Sequence, residues 1–437
     1  MISAKLPLIF ALLSSATLIS VAPPVRAARL PSPVRVRGGR DFWDEIRRGL
    51  DRLGGRRDYP NEGQSNITRR GLSSSSTSGD GALYVSLGIG TPAMNVTLVF
   101  DTTSDLLWTQ CQPCLSCVAQ AGDMYAPNKS QTFANLTGRS YNYTYSKHDF
   151  TSGYLATETF ALGNNVTVAN ITFGCGTRNQ GYYDNVAGVF GVGRVGGGGG
   201  GGGVSLLNQL GIDRFSYCFS SSGAPGSSAV FLGGSPELAT NTTTTPAAST
   251  PMVADPVLKS GYFVKLVGVT VGATRVDVAG ASAEGGGRAL VIDSTSLVTV
   301  LDEATYGPVR RALVAQLAPL KEANANASAG VGLDLCFELP AGGATATTVP
   351  NVTMTLHFDG GGSGGAADLV VPQANYLVFV KDSASGLLCL TMMPSSSNGV
   401  PVLGSWALLD TLVLYDLAKN VVSFQPLNCA AFLAATG

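Results

Sequence analysis

Two segments of the chain repeat one pattern, and that repetition limits the fold more than any other feature. Val99-Phe100-Asp101-Thr102-Thr103-Ser104-Asp105-Leu106-Leu107-Trp108 and Val291-Ile292-Asp293-Ser294-Thr295-Ser296-Leu297-Val298 each run two apolar residues into an aspartate, then hydroxyl residues, then apolar residues again. Each is followed by an apolar-apolar-glycine element, Val189-Phe190-Gly191 and Val402-Leu403-Gly404, whose glycines lie 90 residues after Asp101 and 111 after Asp293. Self-similarity of this kind points to two copies of one β unit. Each copy presents one carboxylate at the end of a buried strand.

A carboxylate in that place is costly unless it is hydrogen-bonded or functional. A single Asp-hydroxyl cluster reads as a turn cap. Two in register, with matching downstream elements, point instead to chemistry. Pseudo-twofold packing of the halves brings the two carboxylates together, and like charges about 3 Å apart cannot both ionise easily, so they share one proton. A water held between them can then be activated. One carboxylate takes its proton while the other donates to the carbonyl oxygen of a peptide. This chemistry needs no metal, cofactor or covalent intermediate.

The chain has 437 residues, of which only 13% are charged and 55 are glycine. That excludes a disordered polyelectrolyte, a coiled coil or a long-helix protein. The formal net charge of −1 argues against nucleic acid as the main partner. Charge is unevenly spread: residues 1–77 hold 13 of the 28 Lys and Arg and 6 of the 29 Asp and Glu, which leaves a net of −8 on the remainder. A basic N-terminal piece therefore precedes an acidic body, and an acidic body suits an acidic working pH, where partial protonation relieves self-repulsion.

Lys5, the apolar run from Leu6 to Ala22 and the small residues of Val25-Arg26-Ala27 read as a secretory signal peptide over 1–27. Serines and a threonine within the run, and Pro23-Pro24 at its end, favour cleavage over a membrane anchor. No later stretch reaches about 18 uninterrupted apolar residues, so no membrane span is expected. The Arg-rich segment 28–77 carries Trp43, Ile46, Leu50 and Leu53 at helical spacing. It reads as a propeptide whose positive charge pairs with the acidic body, or else as a solvated linker.

Eight cysteines behind a signal peptide imply disulfides. Cys111, Cys114 and Cys117 have a spacing that suits a metal knuckle, but His148 and His357 are the only imidazoles, and oxidation is the better reading. Ten Asn-x-Ser/Thr sequons, at Asn66, Asn95, Asn128, Asn135, Asn142, Asn165, Asn170, Asn241, Asn326 and Asn351, support the secretory route and mark surface. His148 and His357 themselves read as a surface residue and a strand residue. Gly88, Gly90 and the glycine run 196–203 lack the lysine and strand–loop–helix context of a nucleotide loop; the run reads as an expanded surface loop.

From Ala82 onward, short runs rich in Val, Leu, Thr, Tyr and Phe alternate with Gly, Asn, Ser and Pro, as in 83–89, 96–100 and 352–358. This is an all-β pattern. Helical patches are few, at Ser205–Leu210 and Ala304–Leu317, the latter with Tyr306, Val309, Ala312, Leu313, Gln316 and Leu317 on one face.

From about Ala82 to Cys429 the chain resembles the pepsin-fold aspartic proteases, and more narrowly their plant nepenthesin-like branch. The resemblance rests on both Asp motifs and on Gly90-Thr91-Pro92, the cysteine-rich stretch Trp108–Cys117, and Phe173-Gly174-Cys175-Gly176. It extends to Gly188–Arg194, Ser205–Leu210, Phe215-Ser216-Tyr217-Cys218 and Tyr415-Asp416-Leu417. It implies an all-β, bilobal fold with a cleft between an N-terminal lobe, 78–245, and a C-terminal lobe, 246–437. Asp101 and Asp293 would be the catalytic dyad, and Thr102 and Ser294 would bond across the lobes. Tyr145 would be the flap tyrosine with Trp108 packed behind it, so that Tyr145, Thr102, Ser294 and Trp108 serve the substrate side. Cys218–Cys429 and Cys336–Cys389 would be bridges, with the other four cysteines pairing among themselves. The expected partner of a monomeric protein of this kind is a polypeptide substrate, in the apoplast or a vacuole.

The chain departs from the family in three ways. The glycine that usually follows Asp-Thr/Ser is threonine in both halves, Thr103 and Thr295. The flap glycines are Ser146 and His148. Two cysteines common between the cluster and the flap are missing. A β-branched residue restricts the loop, and if positive φ is required there it adds strain of about 1–3 kcal/mol. Two functions follow as expectations: an acid endopeptidase, or a catalytically silent homologue that binds a protein or glycan.

Overall fold

The computed structural model describes residues 28–30, 83–145, 149–162, 166–181, 186–194, 204–221, 227–233, 247–255, 258–279, 286–324, 328, 332–339, 349–360, 367–381, 386–395 and 399–436. Nearly all of the signal-peptide and propeptide segments, His148 and the glycine run lie outside them.

The body is built of strands, as the alternation predicts. In the first half a seven-stranded sheet runs in the order Tyr84–Ile89, Met94–Asp101, Gly188–Gly191, Leu107–Gln110, Thr167–Gln180, Phe150–Ala161, Ala134–Thr144. In the second half a larger sheet runs Ala367–Val371, Met354–Phe358, Phe263–Val271, Arg288–Asp293, Val402–Gly404, Thr299–Leu301, Met392–Pro394. The two contain the same motif. Met94–Asp101 lies parallel to Gly188–Gly191 and pairs Val99 with Val189, Phe100 with Phe190 and Asp101 with Gly191. Arg288–Asp293 lies parallel to Val402–Gly404 and pairs Val291 with Val402, Ile292 with Leu403 and Asp293 with Gly404. The repeat seen in the sequence is thus a repeated register, with each Asp beside its glycine.

Those glycines are required by close approach. A Cβ on Gly191 would stand 2.5 Å from the carbonyl oxygen of Ser104, and one on Gly404 would stand 2.4 Å from that of Val298. The loop after each aspartate is packed backbone to backbone against the glycine strand. The last four residues of Met94–Asp101 and of Arg288–Asp293 are all buried. Apolar runs without alternation suit such strands, which are covered on both faces.

A six-stranded sheet joins the halves. Its order is Ala28–Leu30, Ala229–Leu232, Arg214–Cys218, Thr411–Asp416, Val421–Pro426, Ala248–Pro251, so strands from early and late in the chain lie among those of its middle. Above it the rings of Phe215 and Tyr415 stack at 4.4 Å, and Tyr262 lies 4.7 Å from Tyr415. Phe100, one residue before Asp101, meets Tyr217 edge-on at 5.4 Å. One continuous core therefore runs from Phe100 and Phe190 through this cluster to Ile292 and Leu403. Burial pushes the hydroxyls of Tyr217, Tyr262 and Tyr415 above the ordinary tyrosine range, so they stay neutral in the core.

Helix is sparse. Glu303–Gln316 starts and ends one residue before the predicted helix; Asp302 caps it by accepting from the Thr305 N–H at 3.2 Å, and Tyr306, Val309 and Leu313 face the core. Leu206–Gln209 falls within the other predicted patch. The terminal helix Cys429–Thr436 has no periodic apolar face and is missed by the pattern reading. Among the described residues no helix is long and apolar enough to cross a membrane.

Four disulfides close the structure: Cys111–Cys175, Cys114–Cys117, Cys218–Cys429 and Cys336–Cys389. The last two are the pairs implied by resemblance. The first two resolve the pairing that the sequence left open. The whole is an all-β, bilobal, pepsin-like fold.

Candidate active site

Asp101 and Asp293 each end a parallel strand, and the residues after them turn toward the other half. Thr102 and Ser294 bond reciprocally there. The Thr102 N–H donates to Ser294 Oγ at 3.0 Å, and the Ser294 N–H donates to Thr102 Oγ1 at 3.1 Å. Each hydroxyl then donates onward across the interface, Thr102 Oγ1 to the Ile292 carbonyl and Ser294 Oγ to the Phe100 carbonyl, both at 2.8 Å. The carbonyls so engaged belong to the residues that precede the two aspartates. The loops are thereby locked to each other at the aspartates' own backbones.

The threonines that replace glycine are used. The Thr103 N–H and Oγ1 both donate to Asp101 Oδ1, each at 2.7 Å. The Thr295 N–H and Oγ1 both donate to Asp293 Oδ1, at 2.8 and 2.7 Å. Among the described residues the only non-glycine positions with positive φ are Asn170, Asp410 and Asn420, so neither threonine sits in the left-handed region. The strain that threonine would cause at positive φ does not arise. The hydroxyl instead adds a second donor to a carboxylate that a glycine could serve only through its N–H.

The two carboxylates differ in one respect. Ser296 Oγ donates to Asp293 Oδ2 at 2.7 Å. Its counterpart Ser104 lies 3.4 Å from Tyr145 Oη instead. Ser104 and Ser296 stand at matching offsets in the repeat, which is the signal by which a sequence reading can find them. Their carbonyls are also held alike, by the N–H groups of Gly193 and Ser405, each at 2.7 Å. Ser260, which nothing in the sequence marks, donates from Oγ to the Thr103 carbonyl at 2.6 Å and ties the first loop to the second half.

The strands Ala134–Thr144 and Phe150–Ala161 form the hairpin that carries Tyr145, and the Tyr145 N–H donates to the Asp149 carbonyl at 2.8 Å. Trp108 is fully buried, and its Nε1–H donates to Tyr145 Oη at 2.8 Å. Tyr143 packs 4.8 Å from Tyr145. Burial pushes the Tyr143 hydroxyl above its ordinary range, and the charges of Asp105 and Asp101 add to that. Of the six sequence-predicted residues, Thr102 and Ser294 join the loops that carry Asp101 and Asp293, and Trp108 bonds Tyr145, whose hydroxyl reaches Ser104 three residues after Asp101. Both aspartates are buried, at 0% and 1% exposure.

His357 lies on the strand Met354–Phe358, where Nδ1 is 2.6 Å from Asp368 Oδ1 and Nε2 is 2.7 Å from Thr270 Oγ1, a satisfied strand histidine as the sequence suggests. Among the described residues no cluster of His, Cys, Asp and Glu has the arrangement of a metal site.

Residues 83–142 and 137–234 match the family model described as xylanase inhibitor N-terminal, and residues 261–426 match xylanase inhibitor C-terminal. The chain is 34% identical over 383 residues to aspartic proteinase nepenthesin-1 of Nepenthes gracilis, covering 83% of this chain and 81% of that protein. It is 34% identical over 378 residues to nepenthesin-2 of the same plant, covering 81% and 79%. It is 32% identical over 390 residues to aspartyl protease family protein 2 of Arabidopsis thaliana, covering 82% and 74%. With paired aspartates in a repeated register and likeness to these proteins along most of its length, the chain belongs to the nepenthesin-like branch of the pepsin-fold aspartic proteases.

Proposed function

We propose that this protein is a secreted aspartic endopeptidase that hydrolyses peptide bonds at acidic pH with Asp101 and Asp293 as its dyad. The observation that carries the reading is the symmetric presentation of the two carboxylates. Each ends a parallel strand, each accepts two hydrogen bonds from the following threonine, and the loops are clasped by Thr102 and Ser294. Sharing of one proton between adjacent carboxylates is the established behaviour of aspartic-protease dyads. In the proposed reaction the ionised carboxylate takes a proton from water as its oxygen attacks the peptide carbonyl carbon. The protonated carboxyl gives its proton to the carbonyl oxygen. Collapse of the tetrahedral intermediate breaks the C–N bond, and the amine leaves with a proton from the dyad. Tyr145, held by Trp108, is the substrate-side hydroxyl over this centre.

The same reading assigns residues 1–27 as a signal peptide and 28–77 as a propeptide. It places an N-terminal lobe at 78–245 and a C-terminal lobe at 246–437, in a monomer that acts on polypeptides in the apoplast or a vacuole. Four disulfides, the sequons and the basic character of the N-terminal segment support it. The test is cleavage of a denatured protein between about pH 3 and 6, with and without a statine-type inhibitor. Inhibitor-sensitive cleavage that falls by about 10²–10⁴-fold in Asp101→Asn supports the dyad.

A second reading rests on the near-complete burial of both aspartates. A peptide must displace what covers them. If nothing does, the protein is a silent homologue that binds a protein or glycan ligand. Folded protein without turnover, whether carrying Thr103 and Thr295 or with both changed to glycine, decides for that reading.

A further inference from the structure

Residues 192–194 follow the strand Gly188–Gly191 and are bonded on two sides. Toward the first aspartate loop, the Val192 N–H donates to the Asp101 carbonyl at 2.9 Å and the Gly193 N–H to the Ser104 carbonyl at 2.7 Å. Toward the turn at 258–262 in the second half, the Val192 carbonyl accepts from the Tyr262 hydroxyl at 2.7 Å, and the Arg194 N–H donates to the Ser260 carbonyl at 2.8 Å. Ser260 also reaches the loop directly, since its Oγ donates to the Thr103 carbonyl at 2.6 Å.

Tyr262 ties both aspartates at once. Its own carbonyl accepts from the Ile292 N–H at 2.9 Å, one residue before Asp293. A bonded path therefore runs from the Asp101 carbonyl through Val192 and the Tyr262 side chain to Ile292, separate from the Thr102–Ser294 pair. Tyr262 and Ser260 are buried, at 0% and 3% exposure. The Tyr262 ring lies 5.7 Å from that of Phe215 and 4.7 Å from that of Tyr415, so its position is fixed by packing. Burial pushes its hydroxyl up and outweighs the opposing charge of Arg194, so it keeps the proton that it donates.

The arrangement is one-sided. Leu83 takes the corresponding place in the first half, where its carbonyl accepts from the Phe100 N–H at 2.7 Å, one residue before Asp101. Leucine has no hydroxyl, so the first half cannot return the hold through this position.

We propose that Tyr262 and Ser260 are positioning residues for Asp101, which fix its loop from the second half at the Val192 and Thr103 carbonyls. The inference rests on the dyad reading given above and deepens it. A reacting group out of place costs rate, and an error of about 1 Å is worth up to about a hundredfold. Loss of the Tyr262 hydroxyl leaves its carbonyl on Ile292, so the change acts on one loop and not on the other.

The protein is produced in a secretory host as wild type, Tyr262→Phe, Ser260→Ala and Tyr306→Phe. The last removes the same hydroxyl from another buried tyrosine, which bonds Asp334 and neither loop. Hydrogen exchange read by mass spectrometry compares peptides spanning 98–107 and 289–298. In Tyr262→Phe and in Ser260→Ala, exchange over 98–107 is expected to rise by about tenfold, the factor for one lost hydrogen bond, with 289–298 unchanged. Tyr306→Phe is expected to change neither. In the denatured-protein assay described above, kcat of the first two variants should fall by about ten- to a hundredfold with KM within about twofold, while Tyr306→Phe keeps its kcat even where its melting temperature drops. Ser260→Ala decides the matter where Tyr262→Phe does not fold. Unchanged exchange over 98–107 overturns the proposal, as does an equal rise in both peptides or a wild-type kcat in Ser260→Ala. A wild type without turnover overturns the protease reading instead, and the exchange pattern then decides by itself whether the second half holds the first loop.

Discussion

Thr102 and Ser294 each donate a backbone N–H to the other's hydroxyl, at 3.0 and 3.1 Å, although 192 residues separate them. Both are fully buried. The pair acts at once as a fastener between halves and as a spacer that fixes the two aspartates. Removing either hydroxyl leaves a buried N–H without that acceptor, which costs about 1–3 kcal/mol. Ser294→Ala and Thr102→Val are each expected to lower stability in urea by that amount. The double variant is expected to lose less than the sum, because both remove one shared network. Strict additivity would show that the two hydroxyls do not act as one unit.

Thr103 and Thr295 test whether the added hydroxyls serve the dyad. Thr→Ser keeps both donors to each Oδ1 and should leave kcat/KM near wild type. Thr→Ala keeps the N–H and removes the hydroxyl. A hydrogen bond to a charged group is worth about 1.5–3 kcal/mol, so turnover should fall by about ten- to a hundredfold and the pH–rate profile should move. A rise in turnover on removal of the hydroxyls would mean that the threonines restrain the dyad rather than position it.

Trp108 and Tyr145 test the proposed substrate side. Tyr145→Phe takes the Nε1–H acceptor away from a fully buried indole. We expect a loss of about 1–3 kcal/mol, divided between stability and the placing of the hairpin. Trp108→Phe removes the donor instead, leaves the Tyr145 hydroxyl its Ser104 neighbour at 3.4 Å, and should be milder on kcat than on stability. Steady-state kcat and KM beside thermal unfolding would separate these. Equal and negligible effects in both variants would deny the pair any part in catalysis.

Asp416 provides a pH dependence with a known sign. Partial burial pushes its carboxyl up, but the Lys419 N–H and the Arg214 side chain outweigh this and hold it below the ordinary 3.8. The pair joins neighbouring strands of the six-stranded sheet, with Arg214 Nη2 to Asp416 Oδ2 at 2.8 Å. A lowered carboxyl contributes stability that is complete above the unfolded value and is lost as pH falls through the folded one. Arg214 is 42% exposed, so the contribution is about 0.5–1 kcal/mol. Asp416→Asn should be less stable than wild type by that amount near pH 6, and the difference should close at pH values below the folded one. A gap that widens on acidification would reverse the sign of the argument.

Much of the site is legible in the sequence because it is duplicated. Asp101, Thr102 and Ser104 have their counterparts in Asp293, Ser294 and Ser296, and the glycines at 191 and 404 mark the partner strands. What is not duplicated is harder to read. Ser260 supports the Thr103 carbonyl from a turn in the other half, and no spacing connects the two. The pairing of Cys111 with Cys175 and of Cys114 with Cys117 depends on which strands lie side by side, which spacing does not encode. The terminal helix escapes because its residues are apolar all round, so no stripe betrays it.

The sequence by itself determined that this is an all-β chain in two related halves, each offering one carboxylate, because strand alternation and a repeated motif are written in residue order. Only the tertiary structure decided what the threonines do. Their effect depends on a φ angle and on the position of an oxygen two residues away, and both are set by backbone packing around Gly191 and Gly404 rather than by the residues' own preferences.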